Sequence, residues 1–192
     1  MMLTDRYTDA LTFAADAHRG QVRKGTSIPY LSHLLAVSGL VLEHGGDETE
    51  AIAGLLHDAI EDVGAHLREP ISERFGSDVL AIVEGCTDAE IVPKPPWQAR
   101  KEAYIAHLQT APLPVLLVSA ADKLHNARCI LSDYRAIGPT LWQRFNAAPA
   151  QIAWYYRTLA DVFARCGAPA SLVAEMGYTL DALNDVGAFA AG

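Results

Sequence analysis

The run His57-Asp58-Ala59-Ile60-Glu61-Asp62 brings one imidazole and three carboxylates together in a short piece of chain. On an α-helix, positions four apart share a face, so His57 stands over Glu61 and Asp58 over Asp62. His57 and Asp58 are candidate metal ligands. Glu61 and Asp62 are candidate catalytic groups, able to orient a water, accept its proton or manage a leaving-group proton. The preceding Glu50-Ala51-Ile52-Ala53-Gly54-Leu55-Leu56 predicts a helix over 48–62 whose apolar face carries His57 and Asp58 inward. A His and an Asp withdrawn from water require a cation.

Alone, acidic residues at a helix end are most often solvated surface. Two distant residues change the balance. His33 sits in Tyr30-Leu31-Ser32-His33-Leu34-Leu35-Ala36-Val37, and Asp122 follows Val115-Leu116-Leu117-Val118-Ser119-Ala120-Ala121. A carboxylate directly after such a run is costly to bury unless it is paired or binds metal. Together His33, His57, Asp58 and Asp122 form a mixed nitrogen and oxygen set suited to a borderline or hard divalent ion.

Helices must position these groups, because helical periodicity dominates the chain and strand signals are sparse. It predicts helices over 7–18, 30–44, 48–62, 71–75, 77–86, 97–109, 115–131, 141–145, 150–166 and 171–183. The expected fold is all-α, a compact multi-helix bundle. Breaks at Gly76 and at 93–96, 112–114, 138–139 and 167–169 read as helix punctuation. With 192 residues and 51% hydrophobic content, a single domain over 1–192 can bury a substantial core. The small, apolar end at 186–192 is expected to fray.

Between the first two predicted helices, Gly20 to Pro29 forms a glycine- and cation-containing loop. Arg23 and Lys24 there stand just before His33, where a planar fork and a mobile point charge can reach an anion at the same centre. Asn126, four residues after Asp122, projects beside that carboxylate on a helix.

These residues, in order, resemble the HD-domain metal-dependent phosphohydrolases. The combination of Arg23-Lys24, Pro29-Tyr30-Leu31-Ser32-His33, His57-Asp58-Ala59-Ile60-Glu61-Asp62 and Asp122-Lys123-Leu124-His125-Asn126 is similar to the hydrolase domain of Rel/SpoT proteins and to the small alarmone hydrolases. The resemblance runs from about Ala17 to Asn126, and more weakly to Tyr155. It implies an HD-domain bundle and a hydrolase-only protein that removes the 3′-pyrophosphate from (p)ppGpp, giving GDP or GTP and pyrophosphate. It further implies Mn²⁺ as cofactor and substrate contacts from Arg23, Lys24 and Asn126, with Tyr155 stacking near base or ribose. In the cluster Trp154-Tyr155-Tyr156, however, core packing is the ordinary reading. The chain departs from the family pattern at 25–28, at Leu34 where Pro is common, and at Cys129 where a hydroxyl residue is usual. An HD phosphohydrolase for another nucleotide, such as an adenine alarmone or a nucleotide monophosphate, and a non-catalytic nucleotide-binding regulatory module stay open.

The net charge of −8 opposes long-range capture of a phosphorylated nucleotide, so local cations must overcome the global field. Arg100, Lys101, Lys123 and Arg128 are further cations, with Arg100 and Lys101 expected on an exposed helix. The acidic balance argues against a nucleic-acid partner. No secretory signal, membrane anchor or spanning segment is indicated. Cys86, Cys129 and Cys166 read as free thiols in a reducing cytoplasm. His18, His44, His66, His107 and His125 are expected at the surface or behind the ligands. A homo-oligomer is compatible with the family, and no motif marks its surface.

Overall fold

Every regular element among the described residues, 2–88 and 95–190 of the computed structural model, is helical. In chain order these are α1 (Asp5–Ala17), α2 (Leu31–Glu43), α3 (Glu48–Leu56), a π turn (Ala59–Val63), a 3₁₀ turn (Ala65–Leu67), α4 (Arg68–Phe75) and α5 (Ser77–Cys86). After the gap in description come α6 (Trp97–Leu108), α7 (Leu113–Ile137), a 3₁₀ segment (Gly138–Arg144), α8 (Pro149–Cys166) and α9 (Ala170–Asp185). The expected all-α class holds. The break expected over 93–96 lies partly outside the described residues.

Local chemistry explains the boundaries. Asp47 and Glu50 cap α3 reciprocally: the Glu50 amide donates to Asp47 at 3.0 Å and the Asp47 amide to Glu50 at 2.8 Å. Each satisfies an amide that has no partner within the helix. Pro114 opens α7 at a position where no amide is needed, and Gly138, at φ 60°, ends it.

The single helix expected over 48–62 is not formed. The α-helical turn stops at Leu56, where His57 Nδ1 donates to the Gly54 carbonyl at 2.9 Å and competes for the acceptor a continuing helix would use. Asp58 follows at φ −97° and ψ −1°, and the chain then widens into the π turn, closed by the Gly64 amide on Ala59 O at 3.2 Å. The Asp62 amide still bonds Asp58 O at 2.9 Å, so these two carboxylates keep the expected four-residue relation. Other boundaries move too, with the helix expected over 71–75 starting at Arg68. The helix expected over 115–131 runs from Leu113 to Ile137, and the one expected over 141–145 is the 3₁₀ segment 138–144.

The core lies where α2, α3 and α7 meet, with Leu34, Ile52, Leu55, Leu56, Leu116 and Leu124 all essentially inaccessible. One hydrophobic cluster continues from Ala10 in α1 to Ala188. The end of the chain is docked as far as it is described, correcting the expected fraying from 186. Ala188 is fully buried, Tyr134 donates to Gly187 O at 3.3 Å, and the Phe189 ring lies 6.2 Å from Trp142. Residues 191–192 lie outside the described residues.

Gly54 sets the closeness of α3 to α2, because a Cβ there would stand 3.1 Å from the Ser38 backbone. Backbone cannot swing aside as a side chain can. Gly54→Ala should therefore lower unfolding free energy by about 1–3 kcal/mol in denaturant titrations and weaken divalent metal binding, since His33 and His57 ride on the two separated helices.

Candidate active site

Four remote residues converge. α2 supplies His33 from its first turn, the end of α3 supplies His57 and Asp58, and the middle of α7 supplies Asp122. His57 Nε2 lies 3.0 Å from Asp58 Oδ2 and 3.7 Å from Asp122 Oδ1. His33 Nε2 lies 3.5 and 3.2 Å from the same two oxygens. Both His rings and Asp122 are buried, and neither Nε2 has a well-aligned hydrogen-bond partner. Ligand atoms of His33, His57 and Asp58 all fall within 4.8 Å of one another. Two orphaned ring nitrogens facing two carboxylates are what a divalent cation would satisfy, so these residues fit a metal.

The surroundings prepare both rings to coordinate through Nε2. The bond of His57 to Gly54 O requires its proton on Nδ1, leaving the Nε2 lone pair free. His33 Nδ1 lies 2.7 Å from His125 Nδ1. Burial, helped by the positive environment of His33 and Arg23, lowers the His125 pKa to about 4. A neutral His125 can accept from His33, which again leaves Nε2 toward the centre.

Electrostatics point the same way. Burial disfavours ionisation of Asp58 and Asp122, yet the adjoining His57 for Asp58 and Lys123 for Asp122 outweigh it and hold both carboxyls well below their ordinary range. Burial also opposes charge on His57, but Asp58 and Asp122 reverse this and hold its pKa well above normal. The pair of carboxylates draws in whatever positive charge can reach it. Lys123 contacts Asp122 Oδ2 directly, and its pKa rises because the Asp122 charge overcomes the cost of burial.

Tyr30 holds Asp58 from the other side, donating to Oδ2 at 2.6 Å. Burial and the charge of Asp58 raise the phenol's pKa, so it remains a donor. Asn126 donates to Asp122 Oδ1 at 2.5 Å and accepts from Arg23 at 2.6 Å, which ties the Gly20–Pro29 loop to α7. That loop is a small hairpin bridged between Val22 and Pro29, and Gly25, at φ 73°, lets it close against Arg144.

The centre adjoins a cleft of about 860 Å³ lined by Arg23, Lys24, Arg100, Lys101, Lys123 and Arg144 and, on the acidic side, by Asp62 and Asp133. Arg100 and Lys101 are not on an exposed helix face as expected. They are half-buried, line the cleft and share Asp88 as an ion-pair partner. Arg128 pairs with Glu175 at 2.9 Å, apart from the cleft lining. Tyr155 is buried with its ring under Lys101 Nζ at 4.8 Å, as core packing predicts, and it also lines the cleft. Asp62 faces the cleft, with a pKa raised by burial and by the charge of Asp58. Glu61 instead accepts the Asp88 amide at 3.1 Å.

Sequence reasoning placed no role on Tyr30, Gln21 or His18. Tyr30 had a legible signal, lying three residues before His33 at the mouth of α2. Gln21 had none. His18 and His125 were both expected at the surface or behind the ligands; His125 stands behind His33, and His18 is buried against Tyr30.

Removing only the Tyr30 hydroxyl leaves the ring packed but frees Asp58. Tyr30→Phe should weaken divalent metal affinity about 10-fold to 100-fold in calorimetric titration, with the thermal midpoint little changed.

Comparison with known proteins agrees with this geometry. A model of the HD domain matches residues 10–152. The guanosine-3′,5′-bis(diphosphate) 3′-pyrophosphohydrolase MESH1 of Drosophila melanogaster is 34% identical over 140 residues, covering 71% of this chain and 74% of the fly protein. A probable guanosine-3′,5′-bis(diphosphate) 3′-pyrophosphohydrolase of Synechocystis is 36% identical over 124 residues, 63% of this chain, which spans only 16% of that longer protein. Among solved structures, a metazoan ortholog of SpoT described as hydrolysing ppGpp superposes with a TM-score of 0.78 at 27% identity, covering 94% of this chain and 97% of its own. With its metal-suited cluster carried on that fold, this chain belongs to the HD-domain family and to its Rel/SpoT and small alarmone hydrolase branch.

Proposed function

We propose that this protein is a metal-dependent (p)ppGpp 3′-pyrophosphohydrolase, releasing pyrophosphate and leaving GDP or GTP. The observation that carries this reading is the junction of the His33, His57, Asp58 and Asp122 cluster with a cleft walled by six cations. His33, His57, Asp58 and Asp122 hold the ion, which we take to be Mn²⁺ from the family resemblance. When bound, it supplies Lewis acidity toward water and the reacting phosphate.

The chain's own residues do the rest. Arg23 and Lys24 hold the phosphates of the guanine nucleotide at the loop side of the cleft. Arg23 spends one donor on Asn126 and keeps others, while Lys24 is exposed and has no ion-pair partner among the described residues. Asn126 keeps a second amide proton for ribose or phosphate. Tyr155 forms an aromatic wall for base or ribose. Asp62, in the cleft and biased toward holding a proton, is the stronger candidate to accept one from the attacking water, with Glu61 bracing the π turn beside it. Among the described residues no helix is long and apolar enough to cross a membrane. The net charge of −8 disfavours a nucleic-acid partner, and the three free cysteines suit a reducing cytoplasm.

Metal-loaded protein incubated with ppGpp or pppGpp should release pyrophosphate stoichiometrically with GDP or GTP, and His57→Ala should abolish release. Phosphate release from a monophosphate without pyrophosphate, or tight nucleotide binding without product, would overturn the reading. Asp62→Asn should lower kcat by about 10²-fold to 10⁴-fold while metal binding survives. Because Asp62 works as a base only when ionised, kcat/KM should fall as pH drops through its raised pKa. The acid limb should thus lie above the ordinary carboxylate value of about 4 and be lost in Asp62→Asn.

A further inference from the structure

The carboxylate of Asp62 is held by residues of the α1–α2 connection, of which Gln21 also lines the cleft. Gln21 Nε2 donates to Asp62 Oδ2 at 2.8 Å, and Gln21 Oε1 lies 2.7 Å from His18 Nδ1. His18 closes α1, is buried, and stacks on Tyr30 with ring centroids 5.2 Å apart and planes 15° from parallel. Tyr30 is the phenol that holds Asp58. Backbone bonds knit the same three residues together: the Gln21 amide donates to His18 O at 3.0 Å, and the Tyr30 amide to Gln21 O at 2.9 Å.

Donor and acceptor rules set the direction of this chain. An ionised Asp62 only accepts, so the Gln21 amide must turn its NH₂ group to Asp62 and its carbonyl to His18. That carbonyl also only accepts, so His18 must carry its proton on Nδ1. His18 Nε2 is buried with no partner. Leaving it as a bare lone pair costs less than burying an unmatched N–H there, which favours the same tautomer.

Resting on the reading that Asp62 handles the proton of the attacking water, we propose that His18 and Gln21 are positioning residues for the reaction. His18 orients the Gln21 amide, which holds Asp62 facing the cleft. The same imidazole braces Tyr30 and, through it, Asp58. One buried ring thereby keeps the proton-handling carboxylate in register with a metal-binding one, and neither His18 nor Gln21 needs to touch substrate.

The test assays Gln21→Leu, His18→Phe and the double variant as metal-loaded full chains on ppGpp, beside Asp62→Asn. Each single variant should lose about tenfold in kcat with KM changed by less than about twofold, and the double should fall no further than Gln21→Leu. His18→Asn, which can return an N–H near the Nδ1 position, should recover part of the kcat lost in His18→Phe. Nitrogen NMR of the unmodified chain should report the Nδ1–H tautomer of His18. Normal kcat in both single variants with Asp62→Asn inactive overturns the positioning role alone. An active Asp62→Asn overturns the role of Asp62 and this proposal with it. An Nε2–H tautomer, or a loss in His18→Phe that parallels a lowered thermal midpoint and is not relieved in His18→Asn, also overturns it.

Discussion

The structure turns on carboxylates held where water is scarce. Asp58 and Asp122 both reach the same pair of buried imidazole nitrogens, at 3.0 to 3.7 Å. Two like charges facing the same pair of rings repel, and removing each from water adds to that cost. Such an arrangement persists because it is tied in from several sides. Tyr30 donates to Asp58, Asn126 and Lys123 donate to Asp122, and both His rings are anchored through their far nitrogens. The remaining need is for positive charge between the two Nε2 atoms, and that need is the basis of the chemistry.

On the proposed reading, an acidic protein takes a polyanionic substrate and must solve the field problem locally. The six cations of the cleft do so, and several are restrained before any ligand arrives. Arg100 and Lys101 share Asp88, Arg144 leans on Asp133 at 2.9 Å, and Arg23 is pinned to Asn126. Restraint of long side chains lowers the entropy lost when phosphates bind. Lys24 is the exception, an exposed cation with no ion-pair partner among the described residues.

The interruption after α3 has a constructive role. A continuing α-helix would keep His57 bonded only through its backbone, whereas the observed bend lets its ring take the Gly54 carbonyl and fixes its tautomer. The π turn then carries Asp62 to the cleft while Glu61 is drawn to the Asp88 amide. Adjacent acids in the sequence thus acquire different surroundings, and with them different aptitudes for proton transfer.

Much of this was legible in the chain. Apolar periodicity marked the helices, and His33, His57, Asp58 and Asp122 stood out because charged or imidazole groups beside long apolar runs must be compensated if buried. Gly138 marked a helix end through local backbone preference alone. What periodicity could not reveal was the stop at Leu56, since that depends on one ring competing with the backbone for one carbonyl. Nor could it place Arg100 and Lys101 in the cleft, dock Ala188 into the core or join His18 through Gln21 to Asp62. Sequence determines which residues favour helix, burial or charge, because those preferences are local. Which of them meet is decided by packing among segments tens of residues apart, and only the assembled helices show that His18, Gln21, Tyr30, Asp58 and Asp62 are joined by hydrogen bonds and one ring stack.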